Sequence, residues 1–249
     1  MRVLITNDDS VYADGINALA DEIEKIAEVL VVAPDREQSA SSHSFSLDRP
    51  LRIYERGKNR YACDGTPTDC VMLGVHGILK HKLPDLLISG INHGANMGED
   101  VTYSGTVAAA IEGSILGIPS IAVSNTDREN LKSYKPAAKF IARFIKQNGK
   151  FNFPVETFLN INFPRLKGTR FGKYKYTFLG KRIYNDIVIE NTDPRGKNYY
   201  WIAGEATWKD IEGSDFEAVS SGYVSISPLT VNFSDLRALE KMRHIKLKF

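Results

Sequence analysis

Asn7-Asp8-Asp9-Ser10 follows directly on the run Val3-Leu4-Ile5-Thr6. Two adjacent carboxylates are hard oxygen donors, suited to Mg²⁺, Mn²⁺ or Ca²⁺ rather than to metals that take soft ligands. Consecutive side chains on a regular strand point to opposite faces, so Asp8 and Asp9 share one ion only where the backbone turns, as at a strand end. The ordinary alternative is an Asx turn carrying solvated aspartates.

Three further segments have residue types that fit the same chemistry. Ala33-Pro34-Asp35-Arg36-Glu37-Gln38-Ser39-Ala40-Ser41-Ser42-His43-Ser44 is rich in hydroxyls that could ligate a metal or bind phosphate, although such residues are also common in plain connections. Ser89-Gly90-Ile91-Asn92-His93-Gly94-Ala95-Asn96-Met97-Gly98 combines glycines that allow tight turns with asparagines that offer neutral oxygens and amides. Tyr103-Ser104-Gly105-Thr106 stands before a small-residue helix, where exposed amides and two hydroxyls make a phosphate cradle without a Walker lysine; the alternative is a simple helix cap.

A metal beside a phosphate cradle suits hydrolysis of a phosphate monoester, because the ion can activate water and neutralise charge on the phosphoryl oxygens. The chain has no GxGxxG, no GxxxxGK[ST], no HExxH and no GxSxG. Asp8-Asp9 lacks the Asp-x-Asp spacing of phosphatases that form an aspartyl phosphate, which favours direct attack by metal-activated water. Covalent transfer through Asp8 or Asp9 is the minority enzymatic route. His43 and His93 lie in the same loops and are either proton donors to a leaving group or structural.

These loops need strands to present them at one edge. Residues 2–6 and Val29-Leu30-Val31-Val32-Ala33 read as strands buried on both faces, and Ile16, Leu19, Ala20, Ile23, Ile26 and Ala27 mark one face of a helix between them. Thr66-Pro67-Thr68-Asp69 opens a second helix with a cap, a first-turn proline and an acid at the dipole's positive end. Asp85 to Ser89, Ile118 to Ser124 and Phe158 to Phe163 read as strands. Thr106 to Leu116 and a segment ending near Gly149 read as helices. The alternation predicts an α/β fold, Rossmann-like and doubly wound, with a mostly parallel sheet over residues 1–165.

Residues 166–249 differ, with aromatics among Lys, Arg and turn residues. We expect a β-rich C-terminal extension of antiparallel strands and a terminal helix from Asp235 to Met242, acting as an oligomerisation region. Lys173, Lys175, Lys181 and Arg182 interleave with aromatics, a pattern shared with single-strand nucleic-acid binders, but a packed arm is the simpler reading.

Across 249 residues, 32 basic against 30 acidic side chains give a net charge of +2, too balanced for a dedicated nucleic-acid binder. The carboxylate pair comes too early for a signal peptide, and no run approaches the roughly 18 apolar residues of a membrane span, so no membrane association and a cytoplasmic location are expected. Cys63 and Cys70 lack a ligand pattern and are expected as buried thiols.

The sequence closely resembles the survival protein E (SurE) family. The resemblance rests on Asn7-Asp8-Asp9, Val32-Ala33-Pro34-Asp35-Arg36 with Ser39, Gly65-Thr66-Pro67-Thr68-Asp69-Cys70-Val71, Ser89-Gly90-Ile91-Asn92, Tyr103 to Ala110, Asn160-Ile161-Asn162 and Gly222 to Leu229. It implies a divalent-metal-dependent phosphatase acting on nucleoside 5′- and 3′-monophosphates, and in some members on short polyphosphate. It implies one Mg²⁺ or Mn²⁺ per subunit on Asp8, Asp9, Ser39 and Asn92, phosphate contacts from Asn96, Ser104, Gly105 and Thr106, and a homodimer or homotetramer. The chain departs from the family pattern at Ser10, which replaces the usual glycine; if that position has positive φ, Ser is a strained occupant. A non-catalytic module that senses nucleotides or polyphosphate is the alternative of a different class.

Overall fold

The computed structural model describes residues 1–80, 82–148, 154, 156–184, 187–203 and 206–245. His81 and the helix end near Gly149 lie outside them. In chain order the elements are β1 (Arg2–Thr6), α1 (Asp14–Ile23), β2 (Glu28–Pro34), β3 (Ile53–Gly57), β4 (Arg60–Cys63), α2 (Pro67–Met72), β5 (Leu86–His93), α3 (Gly105–Ile115), β6 (Ser120–Asn125), α4 (Tyr134–Asn148) and β7 (Thr157–Phe163). The C-terminal part adds β8 (Tyr174–Tyr176), β9 (Arg182–Tyr184), β10 (Ile187–Thr192), β11 (Asn198–Ala203), β12 (Ala206–Trp208), α5 (Asp215–Ser220), β13 (Val224–Thr230) and α6 (Leu236–Met242).

Nine strands form one sheet in the order β3-β4-β2-β1-β5-β6-β7-β13-β8. The run from β4 through β7 is parallel throughout. Because β1 has β2 on one side and β5 on the other, the winding reverses beside it, and the carboxyl ends of β1 and β5 open a crevice there.

Alternation along β1 divides its side chains between two cores. Val3 and Ile5 pack with Ile16, Leu19 and Ile23 of α1 and Ala137, Ile141 and Ile145 of α4. Leu4 packs on the other face with Val71 of α2 and Ala109 of α3. All of these are fully or almost fully buried. At about 25 cal/mol per Å² of apolar surface, such burial is the main force holding both helix layers on the sheet.

Thr66 caps α2 as the sequence suggests: its hydroxyl accepts the Asp69 N–H at 3.1 Å, and Asp69 accepts the Thr66 N–H at 2.9 Å. The helix then widens into a π turn over Leu73–Ile78. Cys63 and Cys70 are buried and form no disulfide.

Several expectations need correction. The β3–β4 hairpin at the sheet edge was not expected, since its outer face is exposed and carries little apolar periodicity. β5 continues to His93, so residues read as a loop after Ser89 stay in the strand. A register shift between Ser89 and Asn92 accompanies Gly90, where a Cβ would overlap the Val123 carbonyl. The C-terminal strands are not all antiparallel: β8 joins β13 in parallel, while β13 runs antiparallel to β7 and so extends the main sheet. β10–β11 and β9–β12 form two small separate antiparallel sheets.

Candidate active site

The turn after β1 brings both acids to the crevice. Ser10 sits at φ +95°, and Asn7 fixes the turn by donating its amide to the Ser10 carbonyl at 2.8 Å. Asp8 is 5% exposed, and one carboxylate oxygen accepts the Thr106 hydroxyl. Burial pushes the Asp8 carboxyl up to about 6; the Thr106 bond opposes this, and the neighbouring Asp9 charge adds to it. Asp9 is held on the β5 side, where its Oδ2 accepts the His93 backbone N–H at 2.9 Å. Its pKa is also raised by burial, against the His93 bond and with Glu37 adding repulsion.

A cavity of about 530 Å³ opens here, and its lining includes Asp8, Asp9, Ser39, Asn92, Asn96 and Ser104. These six come from three loops and the end of β5. Gly105 and Thr106 stand behind the cavity lining, against Asp8: a Cβ on Gly105 would lie 3.0 Å from Asp8 Cβ. Ser104 caps α3 by accepting the Val107 N–H at 3.1 Å. This capped first turn, with its unspent backbone N–H groups, faces an anion favourably.

The asparagines are held by their neighbours. Asn96 donates its backbone N–H to Asn162 Oδ1 at 2.9 Å and its amide to Ser124 Oγ at 2.8 Å, and its carbonyl accepts the amides of Asn160 and Asn162. Asn92 donates Nδ2 to the Gly94 carbonyl at 3.0 Å, which leaves Oδ1 as its acceptor end. Ser39 Oγ donates to Glu37 Oε1 at 2.6 Å and keeps lone pairs to offer.

The donor set fits a hard divalent cation. Among the described residues no group of three His, Cys, Asp or Glu is arranged to hold a metal. Two carboxylates completed by neutral Asn and Ser oxygens therefore remain, the kind of oxygen shell that Mg²⁺ and Mn²⁺ accept. A buried carboxylate beside a second one, with no basic side chain bonded to either among the described residues, is costly, and a bound cation offsets that cost.

The histidines separate. His43 Nε2 lies 2.9 Å from Glu112 Oε2 and is absent from the cavity lining. His93 lines the cavity and its Nδ1 lies 2.8 Å from the Tyr134 hydroxyl, which burial pushes up to about 12. Sequence reasoning missed Tyr134 and Arg128, both on the cavity wall. Tyr134 looks like a core position on an amphipathic helix, and Arg128 like one of many surface cations.

The far wall is tied to the C-terminal part. Asp215, fully buried at the start of α5, accepts the Gly98 N–H through Oδ2 at 2.8 Å and the Gly180 N–H through Oδ1 at 2.8 Å. Lys181 Nζ pairs with Glu99 Oε1 at 2.7 Å, and the Arg182 guanidinium pairs with Asp100. The turn that leads into Tyr103 and Ser104 is thus held from a distant part of the chain.

The chain is similar in sequence and fold to known proteins. The profile described as "Survival protein SurE" matches residues 3–186. A protein named 5′-nucleotidase SurE from Geotalea daltonii is 47% identical over 245 residues, covering 97% of this chain and 98% of its own length. A protein of the same name from Pelobacter propionicus is also 47% identical, over 241 residues, covering 96% and 97% of the two chains. The crystal structure of the Sure protein from Aquifex aeolicus superposes with a TM-score of 0.88 at 43% identity, covering 98% of this chain and 99% of that one.

Proposed function

Because this chain belongs to the Survival protein SurE family, we propose that it is a 5′-nucleotidase, a phosphomonoesterase that cleaves nucleoside 5′-monophosphates to nucleoside and phosphate. The observation that supports it most is the meeting of Asp8 and Asp9 with Asn92, Asn96 and Ser104 around one cavity beside the first turn of α3.

Asp8, Asp9, Ser39 and Asn92 would hold one Mg²⁺ or Mn²⁺. When bound, such an ion activates a water and neutralises charge on the phosphoryl oxygens. Ser104 and the backbone amides at the start of α3 receive the phosphoryl group, with Asn96 beside them, and glycine at 105 lets α3 begin against Asp8, where a Cβ would stand 3.0 Å from Asp8 Cβ. Thr106 acts from behind by holding one oxygen of Asp8. His93, oriented by Tyr134, stands where a leaving oxygen could take a proton.

The lining addresses a phosphoryl group more than a base, so the same reading extends to nucleoside 3′-monophosphates and to short polyphosphate. Residues 1–165 supply every side chain proposed for the site. Residues 166–249 are proposed as a self-association region of a homodimer or homotetramer; Val188, Trp201 and Ile202 on the β10–β11 hairpin are 63%, 63% and 93% exposed. Among the described residues no helix is long and apolar enough to cross a membrane.

The test is release of inorganic phosphate from AMP with Mn²⁺ or Mg²⁺ and its loss on adding chelator. Nucleotide binding without phosphate release across a metal and substrate panel would instead support the sensing module.

A further inference from the structure

Arg128 is left unused by the mechanism above. Five carboxylates line the cavity, Asp8, Asp9, Asp14, Glu37 and Asp100, and Arg128 contributes the guanidinium among the described residues. Its side chain lies against the Gly94 backbone: with φ at +137°, a Cβ on Gly94 would stand 2.7 Å from Arg128 Nε. Glycine at that position leaves the guanidinium its space. The supporting loop is fixed, since the Arg128 N–H donates to the Thr126 carbonyl at 3.1 Å and buried Asp127 lies 3.5 Å from Arg165 Nε.

The charge of Arg128 is felt by Asp9 and Tyr134, yet no ion pair joins it to a carboxylate among the described residues. The two acids also face different neighbours. Asp8 is held from the α3 side by Thr106, and Asp9 from the β5 side by His93, next to Gly94 and Arg128. Anion-receptive groups therefore bracket the carboxylate pair, with the α3 turn by Asp8 and the guanidinium by Asp9. Once the α3 turn holds the phosphoryl group to be cleaved, the guanidinium remains for a second anion. Its planar paired donors match phosphate oxygens well.

We infer that Arg128 is a specificity-determining residue that gives the site a preference for phosphomonoesters bearing a second phosphate, such as nucleoside 3′,5′-bisphosphates. The inference rests on the phosphatase reading. Water cleaves one P–O ester bond to give an alcohol and inorganic phosphate, and Arg128 holds the phosphate that is not cleaved.

The experiment compares kcat/KM for adenosine 3′,5′-bisphosphate and AMP in the Mn²⁺-loaded wild type, R128K and R128A. In the wild type the bisphosphate is preferred. R128A lowers the ratio roughly tenfold or more, the value of one charge-assisted hydrogen bond, through KM for the bisphosphate, and R128K restores part of it. A wild type that prefers AMP overturns the inference, as does an unchanged ratio in R128A or an equal loss on both substrates. No phosphate release from either substrate by the wild type sinks the phosphatase reading itself.

Discussion

Thr106 donates its hydroxyl to Asp8 across 98 residues of sequence, joining the first turn of α3 to the end of β1. The bond holds one oxygen of a buried carboxylate and favours its ionised form.

Thr106→Val keeps the shape and removes that donor. Such second-layer partners are worth roughly 10- to 100-fold in metal affinity, so Mn²⁺ should bind about tenfold more weakly at pH 7 by calorimetric titration. Unchanged affinity would show that the hydroxyl does not hold Asp8 for the ion.

Asp9→Asn removes one of two charges proposed for the cation. Loss of several kcal/mol of charge stabilisation corresponds to a fall in kcat/KM of roughly a hundredfold or more. Full turnover at saturating metal would exclude Asp9 as a ligand.

The metal-free protein should lose stability as pH rises. Burial in the folded chain pushes the Asp8 carboxyl up to about 6 from the ordinary aspartate value of 3.8, so the folded state binds this proton more tightly than the unfolded one. The stabilisation is complete below the unfolded value and disappears as pH climbs through about 6. That difference in proton affinity corresponds to on the order of 3 kcal/mol. Urea midpoints in chelator, compared between wild type and Asp8→Asn from pH 4 to 8, should therefore converge at low pH. At high pH they should separate, with the variant more stable.

Ser10→Gly should stabilise the fold by about 1 kcal/mol, because a non-glycine residue at positive φ is strained. Ser10 stands at φ +95°, and the side-chain contact that would be lost is a long one, accepting the Tyr12 N–H at 3.3 Å. Denaturant unfolding measures the difference; a less stable variant would mean that this hydrogen bond outweighs the strain.

The central sheet was legible because Val3 to Ile5 and Val29 to Ala33 are apolar on both faces, a pattern that only a covered parallel strand satisfies. Asp8-Asp9 was legible because it breaks such a run abruptly. The edge hairpin was not, since an exposed strand needs no apolar periodicity. Arg128 was not legible either: its place against Gly94 depends on β5 and β6 pairing, and nothing near residue 128 encodes that. Ser10 lies between these cases, as its substitution was visible but its φ came only from the folded turn.

The hold of Asp215 on Gly98 bears on how the protein is made. A ribosome delivers Asp8, Asp9, Asn92 and Ser104 well before the Asp215 carboxylate that steadies the wall beside them. Nascent chains would thus carry these groups before that brace exists, and the wall should become fixed only once Asp215 has joined it.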